Sequence, residues 1–146
     1  MKYGTLHIEI KEYQTLKRIL SGVPKNGDES YRISMQKFQH ELQSAKRCEA
    51  SKIPDDVVRF DSEVTIKDSQ SNICKYKIVT PEHGDIAKGM VSILAPMGHA
   101  LFGYAVSDVV SWQFPSGIRT ITIMNVEQKE IENEKHTVMP KSLRSS

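Results

Sequence analysis

The chain has 146 residues, of which 38% are apolar and 26% charged, and its formal net charge is +2. That make-up fits one medium soluble domain, or a small domain with an appendage, and the charge is too weak to mark a nucleic-acid or membrane surface. No apolar run could cross a bilayer or form a signal-peptide core, so a cytoplasmic protein is expected. Residues 5–10 alternate and read as a short extended entry, after which Tyr13, Leu16 and Leu20 fall on one side of a helix over 11–20. Gly22, Pro24 and the Asn26-Gly27 pair stop it.

With Ser30 as cap, Tyr31, Met35, Phe38, Leu42 and Ala45 then form an apolar seam at four-three-four-three spacing along a second helix. An isolated amphipathic helix of this length is marginal in water and needs a partner. The preceding helix supplies one, which predicts an antiparallel helical hairpin, a short coiled coil, over residues 1–50. The polar stretch 49–56, with Pro54, marks a boundary.

Beyond it, residues 57–60, 62–68 and 74–80 read as strands, and 81–89 as a loop. Val91 and Ile93 alternate, and Pro96 opens one or two helical turns that Gly103 closes. Residues 109–114 and 118–126 form a hairpin about Pro115-Ser116-Gly117, with Ile121, Ile123 and Val126 on one face and Thr120, Thr122 and Asn125 on the other. The expected class is therefore α+β, with an antiparallel sheet and one short helix over 53–126. The polar segment 127–146 is expected to be disordered, with a short extra helix over 127–135 as the alternative. Cys48 and Cys74 have neither disulfide nor zinc spacing and are expected as buried or half-buried free thiols.

The order S-I-L-A-P-M-G-x-A-L-x-G-Y-x-V-x-D-V-V-x-W-x-x-P-x-G, from Ser92 to Gly117, resembles the C-terminal domain of the GreA/GreB transcript-cleavage factors, and most closely their short, Rnk-like members. Ile53-Pro54-Asp55-Asp56-Val57-Val58 and Asp61-Ser62-Glu63-Val64 extend the resemblance upstream. It implies an FKBP-like C-terminal domain behind an N-terminal coiled coil. It also implies RNA polymerase as partner, gripped at the rim of its secondary channel by the region that holds Ala95, Pro96, Met97 and His99 here. Leu94-Ala95 stands where the cleavage factors carry a serine or aspartate-serine, a departure the Rnk-like members share.

In the cleavage factors an acidic pair at the coiled-coil tip helps hold a second Mg²⁺ and positions the attacking water, chemistry that suits hard carboxylate oxygens. The matching residues are Asp28 and Glu29. A second helix of about 17 residues reaches roughly 25 Å, too short for a deeply buried active site, so a solvated turn is expected instead. The hairpin would then point into the channel without reaching its metal.

No P-loop, G-x-G-x-x-G or G-x-S-x-G occurs, and the five histidines are scattered without metal-ligand spacing. Trp112 is expected in the core or on a half-buried sheet face rather than in a ligand stack. The reading that follows is a non-enzymatic, monomeric or weakly dimeric polymerase-binding factor. It needs no cofactor, membrane or specific nucleic-acid sequence, and it competes with longer channel-binding factors. Two alternatives stand beside it: stimulated transcript cleavage through Asp28 and Glu29, or an FKBP-like prolyl isomerase or peptide-binding module whose pocket Tyr76, Tyr104, Trp112 and Phe114 would build.

Overall fold

Val64 and Ile66 face one way on β3 (Glu63–Asp68) and are buried, while Glu63, Thr65 and Lys67 face the other. This period of two is what a sheet with one covered face requires. The computed structural model describes residues 1–23 and 27–128. In it β3 pairs antiparallel with β4 (Ile73–Val79) and with β7 (Gly117–Glu127), and β7 pairs antiparallel with β6 (Val109–Phe114). A short β5 (Met90–Ser92) lies beside β4, giving the five-strand order β5-β4-β3-β7-β6. Phe114 pairs with Gly117, so Pro115 and Ser116 form the predicted tight reversal.

The sheet departs from the all-antiparallel expectation at one edge, where β5 runs parallel to β4. Two one-turn 3₁₀ segments, Pro81–His83 and Ile86–Lys88, carry the chain back before β5 begins. Residues 57–60 also do not form the predicted strand. Val57 makes a single bridge to Ala105, Val58 exchanges backbone hydrogen bonds with Gly103 and Tyr104, and Asp61 turns the chain at a φ of 68°. In β7 the register slips so that Thr65 opposes Asn125 and Ile66 opposes Ile123, leaving Met124 as the extra residue of a bulge. The bulge brings Val126 to the same face as Ile121 and Ile123 despite its odd spacing.

Ahead of the sheet lie β1 (His7–Glu9), α1 (Ile10–Ser21), α2 (Glu29–Gln43) and β2 (Lys46–Cys48). β1 and β2 pair in parallel, a three-residue clip that joins the start of α1 to the end of α2. The seam on α2 is real: Met35, Phe38 and Leu42 are buried. Its main partner is not α1, however, as the hairpin expectation had it. α2 packs on β6 and on α3 (Pro96–Leu101), while a groove of about 660 Å³ separates it from α1. On the sheet side Trp112 and Leu101 are buried, and Ser34 and Lys37 anchor the helix by hydrogen bonds. Residues 1–50 and 53–126 consequently share one hydrophobic core, in which Leu6, Ile8, Leu16 and Leu20 join Val64, Ile78, Ile93 and Ile121.

The last described residue, Gln128, is fastened rather than free. Its Nε2 donates to the carbonyls of Asp55 and Val57 at 2.9 and 2.7 Å, and its Oε1 accepts from Ser62 Oγ at 2.6 Å. Of the segment 127–146 expected to be disordered, Glu127 instead lies in β7 and Gln128 is anchored. Residues 129–146, with both readings of them, lie outside the described residues, as do residues 24–26. Among the described residues no helix is long and apolar enough to cross a membrane. Both cysteines are free; Cys48 is buried as expected, but Cys74 is exposed, because the first half of β4 stands clear of the core.

Candidate partner-docking site

The turn out of β5 is built around Ser92. Its Oγ accepts from the Leu94 N–H at 3.0 Å and its carbonyl accepts from the Ala95 N–H at 2.9 Å. Pro96 then occupies the first helical position, where its missing N–H costs nothing and its fixed φ suits the helix. A Cβ on Gly98 would stand 2.5 Å from the Ser92 carbonyl oxygen and 3.0 Å from Ile93 Cα. Only glycine lets α3 sit this close to β5. The product is a rigid knuckle, Ala95-Pro96-Met97, half-exposed and backed by the core.

His99 does not belong to that surface. The family resemblance implies it as a contact residue beside Ala95, Pro96 and Met97, but it is 0% exposed. α3 turns it inward, where Phe38 stacks on its ring at 4.8 Å. The Trp112 indole N–H donates to Ser34 Oγ at 2.6 Å, and Ser34 Oγ lies 2.8 Å from His99 Nδ1. Indole nitrogen can only donate, so Ser34 Oγ accepts from it, and the same oxygen is the hydrogen-bond partner of His99 Nδ1, with the direction of that second bond set by the imidazole tautomer. Nε2 is buried and has no partner among the described residues. Burial pushes the His99 pKa down to about 3, so the ring is neutral at ordinary pH.

Two further contacts hold α2 against the sheet. Tyr104 donates its hydroxyl to the Glu41 carboxylate at 2.7 and 2.8 Å. Burial raises the Glu41 pKa, with the Tyr104 hydrogen bond opposing, and the Tyr104 hydroxyl is pushed far above its usual range by burial and by that carboxylate. Lys37 donates to the Ser111 carbonyl at 2.9 Å and lies 4.6 Å above the Trp112 ring. Sequence reasoning missed Ser34 and Glu41. The available signal was a small polar residue directly before Met35 on the seam, a place where a buried hydroxyl must have partners.

Asp28 and Glu29 take ordinary structural places. Asp28, not Ser30, caps α2: its carboxylate accepts from the Tyr31 N–H at 2.8 Å and from Ser30 Oγ at 3.0 Å, and the backbone bond in particular lowers its pKa. Glu29 is an exposed first-turn residue, favourable beside the helix N-terminus. Among the described residues no three His, Cys, Asp or Glu side chains converge as metal ligands. The aromatic set that an isomerase pocket would need is closed, because Trp112 is 1% exposed beneath Ser34 and Lys37, and Tyr104 and Phe114 are buried.

Comparison with known proteins agrees with this architecture. Residues 53–128 match the family described as transcription elongation factor, GreA/GreB, C-term. The chain is 35% identical over 72 residues to the transcription elongation factor GreA of Novosphingobium aromaticivorans, covering 49% of this chain and 46% of that protein. It is 32% identical over 81 residues to the regulator of nucleoside diphosphate kinase of Escherichia coli (strain K12), covering 55% and 60%. It thus spans about half to three-fifths of the length of these relatives. Among solved structures, the prokaryotic transcription elongation factor GreA/GreB from Nitrosomonas europaea aligns with a TM-score of 0.66 at 25% identity, over 84% of this chain and 98% of that one.

Proposed function

The chain belongs to the GreA/GreB transcription elongation factor family, and from that premise we propose that it binds RNA polymerase at the rim of the secondary channel through an FKBP-like C-terminal domain. Ala95, Pro96 and Met97 form the contact, a rigid and half-exposed apolar knuckle suited to a helical partner surface. The factor competes there with longer channel-binding proteins and does not stimulate transcript cleavage.

One observation carries the last point. α2 lies on the body along its whole length, from Tyr31 beside His99 to Glu41 on Tyr104, so it is no projecting finger. Its 15 residues amount to about 22 Å even end to end. At the tip, Asp28 Oδ1 is engaged in capping α2.

The test is competition between the purified chain and a full-length cleavage factor for core polymerase, with transcript cleavage read in the same reactions. Displacement without cleavage is the expected result. Cleavage stimulated by this chain and lost in Asp28→Ala or Glu29→Ala would move the assignment to a cleavage factor. No displacement would remove the rim-docking reading.

A further inference from the structure

The groove between α1 and α2 is open because each helix is fastened elsewhere. Arg59 holds α1 through Glu12 at 3.2 Å, and Ser34, Lys37 and Glu41 hold α2 to α3, β6 and Tyr104. Closing the groove would break these anchors, so it is preformed. Met35 and Leu42 form its floor, and Tyr13 and Tyr31 its half-buried walls. Neither tyrosine hydroxyl is hydrogen bonded among the described residues. Lys17 and Arg32 stand exposed on the rim, and neither is in an ion pair among the described residues. Among the described residues no carboxylate lines the groove. Aromatic residues, methionine and arginine are the types enriched at the cores of protein interfaces.

We infer that this groove receives an amphipathic helix of about three turns from another protein, with an acidic flank. From Tyr31 to Leu42 the wall runs about 16 Å, the length of three helical turns. Apolar side chains at i, i+3, i+4 and i+7 would fill the floor, as in other helix-in-groove complexes, and carboxylates beside them would meet Lys17, Arg32 and the tyrosine hydroxyls. The site is separate from the Ala95-Pro96-Met97 knuckle, so it stands or falls independently of polymerase docking.

The experiment is an NMR titration of the full-length chain with a designed helix of about three to four turns, leucines at that spacing and glutamates alongside. A second peptide with lysines replacing the glutamates is the control. The acidic peptide is expected to shift Tyr13, Tyr31 and Met35 resonances. Lys17→Glu with Arg32→Glu, both surface changes, should weaken it by about tenfold or more, and added salt should weaken it too. Pro96→Asp should leave it unchanged. Equal binding of the lysine peptide, or shifts that bypass the groove, would overturn the proposal. So would groove contacts from a second copy or from residues 129–146 in the free chain.

Discussion

Trp112 on β6 donates its indole N–H to Ser34 on α2, across 2.6 Å and 78 positions of sequence. This bond, continued to His99, ties the N-terminal helix, the central sheet and the docking helix into one unit. Ser34→Ala removes the shared hydroxyl and strands both the indole N–H and His99 Nδ1 in the core. The expected loss is about 1–3 kcal/mol of stability, the usual cost of leaving buried polar groups unpaired. Urea unfolding followed by Trp112 emission measures it. An unchanged midpoint would mean the bond is not what seats α2.

His99 gives the fold a definite acid response. Its folded pKa, near 3, lies below the ordinary 6.5, so between these values the unfolded chain takes up a proton that the folded chain refuses. Stability from this group is complete above pH 6.5 and is lost as pH falls toward 3, by at most about 1.4 kcal/mol per unit. Glu12 and Glu41 act in the opposite sense, since burial raises their folded pKa and stability from them grows as pH falls through the acid range. The clean measure is the difference between wild type and His99→Gln. Between pH 6.5 and 4.5 it should move against the wild type by about 2 kcal/mol.

Gly98→Ala places a methyl group 2.5 Å from a backbone oxygen, a contact no rotamer can relieve. We expect α3 to be displaced from β5, with about 3 kcal/mol of destabilisation and weakened polymerase binding. Gly22→Ala is the matched control. A Cβ there comes no closer than 3.8 Å to the Ile19 carbonyl oxygen, and thermal unfolding should hardly change.

Pro96→Asp combined with Met97→Asp puts two charges on the half-exposed knuckle. Affinity for core polymerase should fall by about a hundredfold, in the range expected of interface hot spots. Cooperative unfolding should persist, because neither residue is fully buried. Unaltered binding by a folded double variant would place the contact elsewhere.

Much of this architecture is legible in the residues. The turn at Pro115-Ser116 and the alternation of β3 and β7 announce themselves, and the position of Val126 follows once Met124 is known to bulge. The seam on α2 is equally plain. Periodicity identifies an apolar face but not the surface that will cover it: adjacency in sequence points to α1, whereas β6 with α3 is the main partner. His99 misleads for a similar reason: two helical positions beyond half-exposed Met97, a rotation of about 200° carries it to the opposite side. The β1–β2 clip is only three residues long on each side, below what pattern alone can specify. Asp28 and Ser30 are both good caps, and local geometry alone decides between them.

That clip has a consequence for how such a chain can change. Because β1 and β2 pair in parallel, the chain leaves at one end of the clip and returns at the other, and residues 10 to 45 are the crossover between them. Segments inserted at its far end, between Ser21 and Glu29, add length without disturbing either root. Seven residues on each limb would extend it by about 10 Å. One body can therefore carry arms of many lengths, and reach becomes a trait adjustable by insertion alone.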